Sequence, residues 1–331
     1  MSPHSAPLQS LAVIDGRAFK VVRGANLGDG LSFADDLVLD DIYQLSETAL
    51  RPRMSLTSEG GHFRIAEGSE AGQIGARVCL DCALTLMSED GETTDAIVMV
   101  ELDGNDYVAA SYLLPLAPIS PKMDYALVGI DISDAREMLA RIACVSFSRG
   151  TQITLSSGLQ RPIEDLQPGD KVLTRDAGAQ EIRWIGQNTL RATGQFAPIR
   201  IKAGTLNNDR DLIVSPDHRL FIYQREDRIG AGRSELLVKA RHLVNGDSVV
   251  VMEGGYIDYF QLLFDDHQII FAEGIAAESF LVDLRTAPAV PIELSSRMSS
   301  TPGNRMARLD VNEGLLDRPD AAELLRLASS R

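Results

Sequence analysis

Leu166-Gln167-Pro168-Gly169-Asp170-Lys171-Val172 recurs as Leu243-Val244-Asn245-Gly246-Asp247-Ser248-Val249, and the reading of this repetition decides the fold. The Leu, Gly, Asp and Val of the two copies are each displaced by the same 77 positions, and Ile163-Glu164-Asp165 and Ala240-Arg241-His242 precede them at the same offset. Each copy reads as a helical turn, a Gly-Asp turn and a strand. Common turn residues do match by chance, but a constant displacement points instead to two β halves related by duplication.

The sequence around the repeat agrees. From 146 to about 283, short β-branched and aromatic runs alternate with polar turns. Candidate strands are Thr151–Leu155, Lys171–Thr174, Glu181–Ile185, Pro198–Lys202, Asp211–Val214, Arg219–Tyr223, Ser248–Met252, Phe260–Phe264 and Gln268–Ala272. No helix of ordinary length interrupts them. Upstream, residues 1 to about 130 read as strands at Leu11–Ile14, Phe19–Val22, Val78–Met87, Ala96–Leu102 and Tyr107–Leu114, punctuated by Asp15-Gly16, Asp90-Gly91 and Asp103-Gly104. That spacing predicts a small β-sandwich or barrel-like domain. Ala135, Met138, Leu139 and Ile142 fall at helical spacing and predict a linker helix over Asp131–Ala143, with Asp131 and Ser133 as cap candidates. After about 285, Pro288, Pro291 and Pro302 with Ser295, Ser296, Ser299 and Ser300 read as a tail, ending in a short helix over Pro319–Leu327.

The chain has 331 residues, 44% of them hydrophobic, and a net charge of −15, which is enough for two soluble globular domains and argues against a basic surface for nucleic acid or anionic membrane. No apolar run approaches the roughly 20 residues of a membrane span, and residues 1–10 lack the pattern of a cleavable secretory signal. The expected location is the cytoplasm, or outside it by a route the N-terminus does not encode. The three cysteines are Cys79, Cys82 and Cys144. Cys79-Leu80-Asp81-Cys82 has the spacing of half a zinc site, but no second pair accompanies it, and on a regular strand positions three apart face opposite sides.

The chemistry-bearing residues lie at the start of the second half. Ser146-Phe147-Ser148-Arg149-Gly150-Thr151 opens the β-rich segment, and Ser215-Pro216-Asp217-His218 stands between two strands some seventy residues later. A hydroxyl that attacks the carbonyl before it needs a distorted amide, a stabilised oxyanion and a proton for the departing nitrogen. Ser146 is the candidate nucleophile, with Cys144 as an alternative thiol; His218 is the candidate proton donor, and Ser215 a candidate hydrogen-bonding partner of the same peptide. Taken singly, Ser146 is an ordinary strand serine and His218 a hairpin histidine. A lone His62 beside a Gly-Gly pair reads as solvated, His242 as a turn residue, and a metal cluster of Asp217, His218, Asp266 and His267 has no recognised ligand spacing.

Together these segments carry a resemblance. Ser146-Phe147-x-x-Gly150-Thr151-x-Ile153, Ile163-Glu164-Asp165-Leu166-x-x-Gly169-Asp170-x-Val172-x-Thr174, Glu181-Ile182-Arg183-Trp184-Ile185-Gly186 and Ser215-x-x-His218-Arg219-Leu220 are similar to a Hint domain, the self-processing module of inteins and of the C-terminal part of hedgehog proteins. The closest likeness is to bacterial stand-alone Hint proteins, over about 146–283. Asp265 to Gly274 resembles the later intein block, with His267 as its histidine. The resemblance implies an all-β fold with pseudo-two-fold halves and a module of 144–284 between a β-rich domain of 1–143 and a tail of 285–331.

It also implies that Ser146, in a position commonly held by cysteine, performs an N-to-O acyl shift, with Cys144 as the thiol of an N-to-S shift if the register moves. Glu278-Ser279 stands where inteins carry His-Asn, and Gln261 falls roughly where they carry an assisting aspartate. The expected reaction is therefore cleavage before the first residue without splicing. No cofactor is implied. The substrate is the chain's own N-terminal segment, and water or a small nucleophile is the acceptor. From another class, the alternative is a degenerate Hint scaffold that binds or supports without catalysis.

Overall fold

The structure, a computed structural model, describes residues 9–283 except 60, 225, 226 and 228, together with 285–291, 294, 311, 313–316, 324 and 325. The described fold is all-β apart from short helical pieces, and the chain divides into two compact units, residues 1–141 and 142–331. Most of the predicted tail, including most of Pro319–Leu327, lies outside the described residues. Among the described residues, no helix is long and apolar enough to cross a membrane.

The first unit is one ten-stranded antiparallel sheet. Its hub is the long strand Arg77–Ser88, which pairs with Thr93–Leu102 along one edge and with His62–Ile65 and Asp124–Asp131 along the other. Strands Phe19–Arg23, Ile42–Leu45, Val108–Pro115 and Asp124–Asp131 share one core with the hub and Thr93–Leu102. Phe19, Tyr43, Leu84, Val98, Leu113 and Leu127 belong to it, with Phe19 stacked on Tyr43 at 5.1 Å between ring centroids.

Three sequence expectations are corrected in this unit. The Leu11–Ile14 run is two strands, Gln9–Ala12 and Ile14–Asp15, which pair with different partners on either side of the buried Val13. The helix starts at Ala135 rather than Asp131, because Asp131 ends a strand and its carboxylate accepts the Ser133 and Asp134 N–H groups. Cys79 and Cys82 face the same way, not opposite ways: a β-bulge between Leu80 and Cys82 inserts Asp81 and shifts the alternation by one. Both cysteines then pack on the same apolar core.

The second unit is built from two antiparallel sheets. One runs in the order Trp184–Arg191, Tyr256–Leu263, Phe147–Ser148, Leu212–Val214, Ile199–Ile201, Val249–Val251. The other runs Gln160–Pro162, Gln152–Thr154, Ile269–Ala272, Ile275–Glu278, Arg219–Tyr223, Glu235–Lys239, and Lys171–Thr174 joins it through Ile269–Ala272. A core including Phe147, Ile153, Val172, Leu212, Leu220 and Phe260 draws on both, and Val311, Leu316 and Leu325 pack into it.

The repeat has a structural counterpart. Ile163–Asp165 and Ala240–Leu243 are both 3₁₀ turns entered from an extended residue, Pro162 or Lys239. Both turns lead through a left-handed glycine, Gly169 at φ 98° and Gly246 at φ 76°, into a strand. The sequence had Glu181–Ile185 as a single strand. The chain instead leaves one sheet after Gly178–Glu181 and enters the other at Trp184, so the run is split by a change of sheet.

Candidate active site

Antiparallel register assembles the site. Phe147 pairs with Val214 on one side and Phe260 on the other. One residue earlier, Ser146 therefore faces Ser215 across one neighbour and Gln261 across the other. The chain then turns at Ser215–His218, where the His218 N–H donates to the Ser215 carbonyl at 3.1 Å, and crosses into the second sheet as Arg219–Tyr223. Pro216 favours the extended backbone at Ser215 that this exit requires. Leu220 pairs with Ala277, which brings Arg219 beside Glu278. The junction of the two sheets thus gathers residues far apart in sequence.

Ser146 is held through its N–H, its carbonyl and its hydroxyl. Its N–H donates to Ser215 Oγ at 3.0 Å, and its carbonyl accepts from the Ser215 N–H at 2.9 Å. His218 Nδ1 lies 3.0 Å from the same carbonyl. Ser146 Oγ accepts from the Gln261 side-chain amide at 2.6 Å, and the Ser146 and Ser215 hydroxyls each reach the Cys144 carbonyl at 3.4 Å. Gly186 makes room for this: a Cβ there would lie 2.3 Å from Gln261 Oε1 and 2.3 Å from the Trp184 ring. Ser146, Ser215, His218 and Gln261 are all buried.

His218 is wholly out of water, with the Phe147 ring 4.3 Å away at a 60° tilt. Its other nitrogen, Nε2, lies 3.0 Å from the Glu278 carbonyl. Burial lowers its pKa from the usual imidazole value, against the opposing influence of the Glu278 carboxylate and the two carbonyls. Glu278 is equally buried. Burial would raise its pKa, but the Arg219 guanidinium at 3.0 Å, with His267 Nε2 at 3.3 Å, holds it well below the usual carboxylate range.

The structure brings together Ser146, Ser215 and His218, and places the side chains of Cys144 and His267 away from the Ser146 hydroxyl. The Cys144 side chain lies in an apolar cluster with Leu263, Phe280, Val282 and Val290, and burial pushes its thiol up to about 12. His267 stands on the Glu278 carboxylate. Asp217 is turned to Arg241 and Lys239, and among the described residues no group of three or more His, Cys, Asp or Glu is arranged to hold a metal ion.

Two features escaped the sequence reading. Gln261 contacts the serine hydroxyl itself, and Arg219 with Glu278 forms a buried ion pair beside His218. The buried pair had one visible signal: two charged residues, each at the end of an apolar strand run, in Arg219-Leu220 and Ala277-Glu278. A small, shallow depression adjoins them, lined by Val145, Arg219, Glu278, Phe280, Leu281 and Arg285 among others.

With this geometry in view, the class of the second unit is settled by comparison: residues 145–283 match the family model described as the Hint domain, and this part of the chain is a Hint domain. It is a self-processing type of module, as the sequence resemblance implied. A DnaB intein from Synechocystis sp. PCC 6803 is similar at 16% identity, covering 41% of this chain and 98% of that one with a TM-score of 0.27. A bacterial intein-like domain from Clostridium thermocellum is similar at 15% identity, covering 40% and 97%, with a TM-score of 0.28. Among curated proteins, the catalytic subunit of a V-type proton ATPase from Candida tropicalis is 27% identical over 93 residues, which are 28% of this chain and span only 8% of that protein's length. The Hint assignment rests on the family match.

Proposed function

We propose that the Hint domain cleaves the Val145–Ser146 peptide bond of its own chain, without C-terminal splicing. The working module is 144–284, and the released segment is the β-rich N-terminal part. Ser146 Oγ attacks the Val145 carbonyl carbon, the C–N bond breaks, and Val145 is left as an ester on Ser146. Water or another small nucleophile then releases it. The observation that carries this reading is the convergence on one residue, Ser146, of Ser215 on the N–H of the bond to be cut, Gln261 on the hydroxyl and His218 on the carbonyl of the following peptide.

Ser146 is favoured over Cys144 as nucleophile by the thiol's burial among apolar side chains, which opposes thiolate formation. Glu278-Ser279, where an amide-bearing terminal pair would be needed, supports cleavage on one side only. His267 acts on Glu278 and not on the scissile bond. The reaction needs no cofactor in this scheme, since the proton lost by the hydroxyl equals the proton gained by the nitrogen.

A second reading has its own observation. His218 Nδ1 stands on the Ser146 carbonyl, one bond system away from the amide nitrogen, and the N–H is taken by Ser215. A scaffold that kept the fold and lost the reaction would keep such contacts as cross-strand ties. Intact-mass measurement of freshly purified protein, with and without hydroxylamine, separates the two. Ester formation gives hydroxylamine-sensitive cleavage after Val145 that Ser146→Ala abolishes and Cys144→Ala retains; a chain that stays whole in every case supports the scaffold.

A further inference from the structure

We infer that Glu278 is a positioning residue for His218, fixing the ring through its backbone carbonyl and favouring the proton-donating form through its buried carboxylate. The inference rests on the reading above, in which His218 supplies a proton to the Ser146 nitrogen. Its starting point is a count of protons. Nδ1 and Nε2 each lie 3.0 Å from a carbonyl oxygen, of Ser146 and Glu278 respectively, and a carbonyl can only accept. A neutral imidazole has one N–H. Either tautomer therefore sets a nitrogen lone pair against an oxygen lone pair at hydrogen-bond distance. Only the imidazolium satisfies both contacts.

The surroundings of the ring decide how readily that form is held. Phe147 covers one face, and the Ser146 and Ser215 hydroxyls are uncharged. Arg219, the next residue, disfavours a second positive charge. Asp217, on the other side in sequence, is turned to Arg241 and Lys239. His267 and Arg285 lie beyond Glu278, the first on its carboxylate and the second on the rim of the adjoining depression. That leaves the Glu278 carboxylate, 1% exposed and held by Arg219, as the acidic group that offsets this positive field. A carboxylate so far from water is expensive to bury, and strand packing alone does not call for one.

In the proposed step the Oγ–carbon bond forms as the carbon–nitrogen bond breaks. His218 gives its proton to the departing nitrogen and regains one from the serine hydroxyl, so it returns to its starting state. Glu278 touches no reacting atom. Its role is in the charge and orientation of the ring.

The test uses the full chain carrying Ser146→Ala, which keeps the peptide bond intact, and follows the His218 ring nitrogens by ¹⁵N NMR across pH. The five histidines are separated by a His218→Gln control spectrum. Adding Glu278→Gln is expected to lower the His218 midpoint by about one pH unit, a tenfold loss of proton affinity. Glu278→Asp should restore it to within a few tenths, and Arg219→Gln should raise it. A midpoint unmoved or raised by Glu278→Gln in folded protein overturns the inference.

If Glu278→Gln alone does not fold, the double variant Arg219→Gln/Glu278→Gln removes both charges together, and its midpoint should fall below that of Arg219→Gln; an equal or higher midpoint overturns the inference. In the Ser146 chain, Glu278→Gln should slow ester formation at neutral pH and shift its pH profile to the acid side, with Asp rescuing both. A midpoint shift in a chain that never processes supports the coupling and contradicts the cleavage reading. Processing unaffected by Glu278→Gln in rate and profile contradicts the coupling alone.

Discussion

Replacing Arg219 with methionine is the most direct perturbation of the buried charges that join two neighbouring strands of the second sheet at the site. Arg219 donates through Nε to both Glu278 carboxylate oxygens at 3.0 Å, and the side chains are 19% and 1% exposed. The substitution keeps the aliphatic bulk and strips the charge. Among the described residues, Glu278 is then a buried anion left with the backbone N–H of position 219, His267 and the charge of a protonated His218. Orphaning one member of a buried pair costs about 3–5 kcal/mol. At a urea slope of about 2–3 kcal/mol/M, the midpoint should fall by roughly 1–2.5 M.

The pH dependence has a definite sign. Glu278 is depressed in the folded chain, so its contribution is complete above the unfolded carboxylate value of about 4.3 and fades as pH drops through the folded value. In Arg219→Met the carboxyl loses its strongest partner and protonates at a higher pH than in the parent, while His267 and His218 still favour its anion at neutral pH. The deficit relative to the parent should therefore be largest at pH 7 and shrink toward pH 4. The single tryptophan, Trp184, lies in this unit against Phe280 and reports its unfolding by fluorescence. A deficit below about 1 kcal/mol at pH 7, or one that widens in acid, would refute the reasoning.

Three further outcomes are expected. Gly186→Ala forces Gln261 or the Trp184 ring to shift, since its Cβ would come within 2.3 Å of each; it should cost about 1–3 kcal/mol, change Trp184 emission and perturb Ser146, whereas an unchanged spectrum and stability would contradict the packing. Phe147→Ala empties a site 1% exposed beneath His218 and should lower stability by about 3–5 kcal/mol in urea melts; a loss under 1 kcal/mol would count against Phe147 as the core anchor of the first strand. The Cys144 thiol, raised to about 12 by burial, should remain unmodified by iodoacetamide in native protein at pH 8 and react once unfolded, and rapid native labelling seen by peptide mapping would overturn its assignment as a packing residue.

Legibility in sequence followed the range of the interactions. The repeat, with a helical turn, a Gly-Asp turn and a strand in each copy, was visible because each is a local event of a few residues. Lys171–Thr174 and Arg219–Tyr223 were also readable, being short runs rich in apolar strand formers between turns. Hidden were events that depend on a partner strand. The bulge at Asp81 reverses side-chain parity without any local mark such as glycine, and the change of sheet after Glu181 lies within a continuous apolar-polar run.

The same distinction holds at the site. Ser146, Ser215 and His218 were named from their spacing, but their meeting depends on Phe147 pairing between Val214 and Phe260. Gln261 was noticed only as a departure from a motif, and its contact with the hydroxyl follows from that same register. The Glu278–Arg219 pair needed the two-stranded alignment of Leu220 with Ala277 before two distant charges became one buried unit.

The central claim is that Ser146 breaks the bond before it, and intact-mass analysis of the purified chain under hydroxylamine measures this most directly. The claim predicts two products of about 16 and about 20 kDa, the 36.0 kDa chain divided after residue 145 of 331, the smaller ending in a Val145 hydroxamate. Both should vanish in Ser146→Ala. A single unbroken mass from the Ser146 chain after prolonged treatment, or the same cleavage in Ser146→Ala, would contradict it.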